Sequence, residues 1–141
     1  MKQCTMSQMF KRIAGDPGTG KTTAARKMGM LLFRLNIIAK PDCRETTGPD
    51  IKGDAVGVTE TKLREHLEAA RGGILFIDEA YALHESGGGS YGKSAINLLT
   101  ATLTKPDYMN AKTVVILAGA CTNAFRTSLI PLQDTKNKWL P

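Results

Sequence analysis

The chain has 141 residues, a formal net charge of +6 and a hydrophobic share of 42%, with a sequence pI of about 9.4. That length fits one domain around one core, and that apolar share excludes an intrinsically disordered chain. Apolar runs such as Met30 to Phe33, Ile74 to Ile77 and Val114 to Ala118 fall far short of the roughly 20 residues that span a bilayer.

The N-terminal Met1-Lys2-Gln3-Cys4-Thr5 carries no apolar signal-peptide core, so a soluble, cytoplasmic protein with no membrane partner is expected. The basic residues are scattered, without a long run and with few aromatics among them. Specific nucleic-acid binding is therefore not expected, although a basic surface favours anionic nucleotides. Cys4, Cys43 and Cys121 are odd in number and widely spaced. They match neither a disulfide framework nor a metal-ligand pair, and read as small apolar residues. His66 and His84 have no partner at ligand spacing and read as helix-face and loop residues.

In chain order, Met9 to Ala14 is a strand candidate that ends in a glycine turn. Lys21 to Leu35 reads as a helix, with Ala24, Ala25, Met28, Leu31, Leu32 and Leu35 at helical spacing. Pro41 breaks the chain, and Cys43 to Thr47 is a weakly marked strand. Thr59 to Arg71 reads as a helix that starts on Thr59 and ends at Gly72-Gly73. Ile74-Leu75-Phe76-Ile77 is apolar on both faces, as in a strand inside a parallel sheet. The loop Gly87-Gly88-Gly89, read as a flexible connector, leads to a helix from about Tyr91 to Leu103. Thr113 to Ala118 is a second buried strand, and a short helix from about Thr122 to Ile130 follows. This alternation predicts one α/β domain over residues 1–141 with a mostly parallel sheet.

Gly15-Asp16-Pro17-Gly18-Thr19-Gly20-Lys21-Thr22 satisfies G-x-x-x-x-G-K-[ST] in full. Glycines let the backbone curl so that successive N–H groups face phosphate oxygens, and a helix beginning near Gly20 adds its positive end. In this reading Gly15 to Thr23 bind the nucleotide, Lys21 reaches the β- and γ-phosphates of ATP as a catalytic residue, and the Thr22 hydroxyl ligates Mg2+. The bland alternative is a glycine turn before a helix.

Asp78 and Glu79 follow the buried run Ile74 to Ile77, at the strand end where ligands bind in open α/β sheets. Asp78 is placed to hold Mg2+, and Glu79 to orient and deprotonate the water that attacks the γ-phosphate. Taken alone, such a pair is more often a helix cap. Beside the phosphate loop it favours hydrolysis.

The two motifs together resemble those of AAA+ ATPases. Gly18 to Gly29, Gly72 to Leu83 and Val114 to Gly119 are similar to segments of the CbxX/CfxQ group. That group includes red-type Rubisco activases and stage V sporulation protein K ATPases. The resemblance implies a P-loop NTPase three-layer sandwich. It also implies a chaperone-like motor that works as a homo- or hetero-oligomer with AAA+ subunits and remodels protein partners.

Three positions depart from the family pattern. Ala55 stands in Gly53-Asp54-Ala55-Val56-Gly57, where the pore loop G-x-Y-x-G has an aromatic. Ala120 follows Ala118-Gly119 where the family has tyrosine, with Asn123 nearby. Lys136-Asn137-Lys138-Trp139 occupies the region of an arginine finger, and no arginine follows Arg126. The chain stops about where the family's fifth strand begins, so a core without the helical lid is expected. Without that strand the first one becomes an edge, where the charges of Lys11 and Arg12 are tolerated. Intact Lys21, Thr22, Asp78 and Glu79 favour an ATPase. The three departures favour a degenerate nucleotide-binding or interaction module without turnover.

Overall fold

A computed structural model describes residues 10–16, 18–55, 57–83 and 91–119. Four strands, β1 (Phe10–Ala14), β2 (Cys43–Thr47), β3 (Ile74–Asp78) and β4 (Val114–Gly119), form one sheet in the order β1-β4-β3-β2. Every pairing is parallel, so the expected mostly parallel sheet is wholly parallel among the described residues.

The central strands show why the sheet is covered on both faces. In β3, Ile74 and Phe76 point into one apolar cluster and Leu75 and Ile77 into another. In β4, Val114, Ile116 and Ala118 join the first cluster, and Val115 and Leu117 the second. Side chains alternate across a strand, so a run apolar at every position fills two cores. Burying each of the larger ones contributes about 1.5–3 kcal/mol. The helix α1 (Lys21–Arg34) closes the first core with Ala25 and Leu32. The helices α3 (Val58–Ala69) and α4 (Tyr91–Leu103) close the second, through Leu63, Leu67, Ala95, Leu99 and Leu103. The result is the expected three-layer sandwich.

Several details differ from the sequence reading. The buried face of α1 is Lys21, Ala25, Gly29 and Leu32; Met28 is half-buried, while Ala24, Leu31 and Leu35 are exposed. Gly29 explains the rotation, because a Cβ there would lie 3.2 Å from Ile74 Cδ1, so the helix approaches the sheet along a small-residue strip. Met30, Leu31, Phe33 and Leu35 are left facing outward. Thr59 does not cap α3, which starts at Val58 behind Gly57 at φ 83°. Its hydroxyl instead accepts a bond from the Gly53 amide at 3.0 Å. This helix ends at Ala69 rather than Arg71, and Gly72 turns the chain at φ 85°.

Two short helices carry no hydrophobic period but do carry capping chemistry. In α2 (Gly48–Ile51), Thr47 is the N-cap: its hydroxyl accepts from the Asp50 amide at 3.2 Å and donates to Asp50 Oδ2 at 2.7 Å. In α5 (Pro106–Ala111), proline opens the first turn. Its buried Tyr108 donates to Glu68 Oε2 at 2.7 Å, and burial and that carboxylate push the phenol up to about 12.

β1 pairs with β4 alone and stands at the edge of the described sheet, with Lys11 opposite Ile116 and Arg12 opposite Leu117. Cys43 is half-buried against the first core, and its thiol is raised by that burial. His66 lies on α3 as expected. Cys4, His84, Gly87 to Gly89, Ala120, Cys121, Asn123, the expected helix from Thr122 to Ile130 and the stretch Lys136 to Trp139 lie outside the described residues. No helix among the described residues is long and apolar enough to cross a membrane.

Candidate nucleotide-phosphate site

Parallel strands send all their C-terminal ends to one rim, and both sequence motifs lie on it. Ala14 is in register with Gly119, and the Gly15 amide extends that pairing by donating to the Gly119 carbonyl at 3.3 Å. The chain then turns through Gly18 at φ 79° and Gly20 at φ 81°, a left-handed backbone that glycine adopts without a Cβ penalty. The Thr19 hydroxyl donates to the Asp16 carbonyl at 2.7 Å, tightening the turn.

The helix α1 leaves this turn with no capping side chain on Gly20 and no acidic residue in its first turn. Its first backbone bond runs from the Ala24 amide to the Gly20 carbonyl at 2.9 Å. The amides of Lys21, Thr22 and Thr23 therefore have no intrahelical acceptor, and the positive end of the helix meets no carboxylate of its own. Such an end binds anions.

Lys21 folds back into the loop, where its Nζ donates to the carbonyls of Gly15 at 3.0 Å and Asp16 at 2.9 Å. The residue is only 9% exposed, so its aliphatic stem is covered and its charge sits inside the turn. An ammonium has three donors, and two are used here. Thr22 is half-buried behind it and Thr23 is exposed.

The acidic pair stands on the same rim. Asp78 ends β3, and its Oδ1 accepts from the Glu79 amide at 2.8 Å, a local cap of the kind a lone acidic pair supplies. Glu79 is exposed and holds a left-handed backbone at φ 48°. Its carbonyl accepts from the Ala82 amide at 3.0 Å, which starts a 3-10 turn over Ala80–Leu83 with Ala80 and Leu83 buried. That turn was not foreseen, although Ala80-Tyr81-Ala82-Leu83 is apolar enough to have marked an anchor.

Gly119 joins the two motifs, and sequence reasoning gave it no role. Its carbonyl holds the Gly15 amide, while a Cβ on it would lie 3.3 Å from Tyr81 Cδ1. The Tyr81 ring thus seats the turn behind Glu79 against the strand end that carries the loop. Only β4 separates β1 from β3, which puts their axes about 10 Å apart. Among the described residues no hydrogen bond joins Asp78 or Glu79 to Lys21 or Thr22.

The structure therefore gathers Gly15, Asp16, Gly18, Thr19, Gly20, Lys21, Thr22 and Thr23 into one turn, with Asp78 and Glu79 across the rim. Pro17 lies outside the described residues. The donor set suits a magnesium nucleotide: amides and an ammonium for phosphate oxygens, and a hydroxyl and a carboxylate for a hard cation.

Residues 12–135 match the family model of the ATPase family associated with various cellular activities (AAA). Stage V sporulation protein K of Bacillus subtilis is 40% identical over 114 residues, covering 81% of this chain and 34% of that protein. Protein CbbX of Cereibacter sphaeroides is 43% identical over 106 residues, covering 74% of this chain and 33% of that protein. The chloroplastic ribulose bisphosphate carboxylase/oxygenase activase of Cyanidioschyzon merolae is 42% identical over 106 residues, covering 74% and 35%. The chain thus spans about a third of the length of these curated relatives. A family match over most of the chain, on a sheet whose rim carries the phosphate loop and the acidic pair, places the chain in the AAA family of ATPases.

Proposed function

We propose that residues 1–141 form a single AAA+ ATPase core that binds ATP with Mg2+ and hydrolyses it. In this reading it works inside the cell, in an oligomer with AAA+ subunits that remodels protein partners. One observation carries the reading: a nine-tenths buried Lys21 holds its ammonium inside the turn that opens an uncapped helix. A lysine placed to serve the surface would leave its charge in water. This one is drawn to the carbonyls of Gly15 and Asp16, beside the unpaired amides that open α1, where a polyphosphate is the matching ligand.

The residues divide the work. The amides of Lys21, Thr22 and Thr23 take phosphate oxygens, and the remaining N–H of Lys21 reaches the terminal phosphates. Gly18 and Gly20 keep side chains away from the phosphate path. Thr22 and Asp78 hold magnesium, which when bound neutralises phosphate charge and polarises the bond to be broken. Glu79 accepts a proton from the attacking water. A neighbouring subunit supplies the arginine that stabilises the developing charge.

The test is ATP hydrolysis by the purified chain with magnesium, beside Lys21→Ala, across protein concentration. Turnover that needs Lys21 and rises per subunit with concentration supports a self-assembling ATPase. Turnover that persists in Lys21→Ala overturns the assignment of this site. A second reading, a module that holds nucleotide without turnover, draws on Ala55. This residue is exposed in the Gly53–Gly57 loop and offers only a methyl group to a threaded chain. Lys21-dependent binding without hydrolysis selects that reading.

A further inference from the structure

The segment leaving β2 presses on the backbone of Glu79. Thr47 and Asp78 are partners in register at the ends of β2 and β3, so Gly48 and Glu79 leave the sheet side by side. A Cβ built on Gly48 would lie 2.3 Å from the Glu79 carbonyl oxygen and 3.2 Å from Ala82 Cβ. No side chain fits at that distance without something moving. The same carbonyl accepts the Ala82 amide, and the Glu79 amide is held by Asp78 Oδ1. Glu79 therefore keeps its left-handed φ of 48°, uncommon for a residue with a side chain, between two hydrogen bonds and a wall.

We propose that Gly48 is a positioning residue for Glu79: its missing side chain lets α2 close against the Glu79 carbonyl and fix where the carboxylate points. This rests on the reading of Glu79 as the group that activates water. The wall is rigid on its own side. Thr47 and Asp50 cap α2, Lys62 Nζ donates to the Asp50 carbonyl at 3.0 Å, and Ile51 is fully buried. Glu79 is exposed and already in a strained backbone region, so an atom added at Gly48 moves Glu79 rather than α2.

The experiment compares Gly48→Ala with Gly73→Ala and Glu79→Gln. Gly73 provides a matched control, because a Cβ there would lie 2.5 Å from the Asp42 carbonyl oxygen, before the opposite end of β3. In Gly48→Ala, kcat for ATP is expected to fall about 100-fold, the scale of a misplacement near 1 Å, with KM within about twofold. Backbone 13C shifts of Glu79 should leave left-handed values. Gly73→Ala should lose stability without either change. Wild-type kcat in Gly48→Ala, or an equal loss in Gly73→Ala, overturns the proposal while Glu79→Gln stays inactive. Wild-type turnover in Glu79→Gln instead removes the reading on which it rests. If the wild-type chain does not turn over, the Glu79 shifts decide, and unchanged shifts in Gly48→Ala overturn the proposal. Should Gly48→Ala fail to fold, Thr47→Ala removes the hydroxyl that caps α2 and is expected to move the same shifts; unmoved shifts there overturn it equally.

Discussion

The Lys21 ammonium donates to the Gly15 carbonyl at 3.0 Å, six residues back along its own chain. The loop thus closes on the residue that gives it its charge, and the next carbonyl, of Asp16, shares the bond at 2.9 Å.

Replacing Lys21 with Met keeps the buried stem and removes the charge. Hydrogen bonds to charged groups contribute about 1.5–3 kcal/mol, so nucleotide affinity is expected to fall roughly 10- to 100-fold. Titration with a fluorescent ATP analogue measures this. Lys21→Arg should not restore binding, because a planar fork cannot occupy the turn that holds a compact ammonium. Undiminished affinity in Lys21→Met would place the phosphate site elsewhere.

Glu79 and Asp78 are predicted to separate by function. Glu79→Gln preserves shape and exposure but removes the proton acceptor, so hydrolysis is expected to drop about 10²- to 10⁴-fold while nucleotide affinity stays within about twofold. Asp78→Asn should instead weaken magnesium-dependent binding itself. Paired measurements of turnover and of binding with and without magnesium check the division. Equal turnover before and after the Glu79 change would take that residue out of the reaction.

Thr113 ties the far end of the sheet. It is fully buried, and its hydroxyl accepts from the Gly72 amide at 2.8 Å, where Gly72 turns the chain into β3. Thr113→Val keeps the shape and strands a buried amide, which costs about 1–3 kcal/mol. Urea unfolding should show a lower midpoint at an unchanged slope, and Thr113→Ser should recover most of the loss. An unshifted midpoint in the valine variant would mean that Gly72 finds another acceptor.

Legibility followed locality. The phosphate loop and the acidic pair each sit within one short stretch, and the doubly buried runs Ile74 to Ile77 and Val114 to Ala118 mark the central strands without ambiguity. The face of α1 was misread because large residues suggested burial, while the helix packs through Gly29 and Ala25 and leaves Leu31 and Leu35 outside. The helices α2 and α5 are too short for a period, though Thr47 with Asp50, and Pro106, announced their caps. The approaches of Gly119 to Tyr81 and of Gly48 to Glu79 cross long stretches of chain. Neither local propensity nor periodicity encodes them.

His66 gives the fold a pH dependence whose sign is fixed. Its Nε2 lies 3.5 Å from Thr46 Oγ1, and its Nδ1 is buried with no hydrogen-bond partner among the described residues. Burial lowers its pKa below 6.5, and the charge of Arg44 adds to the effect, with a smaller push from Lys62; Glu65 and Asp50 oppose it. Above that pH the ring is neutral in both folded and unfolded chains and contributes no slope. As pH falls below about 6.5, the unfolded chain takes up the proton first, so stability declines until the folded ring also protonates. Urea unfolding between pH 7.5 and 5 should therefore show a loss on acidification that is smaller in His66→Gln. Glu68, held low by Tyr108 and Arg71, acts in the same direction only at more acidic pH. The difference between the two slopes isolates His66, and parallel slopes would mean that its ring reaches solvent freely.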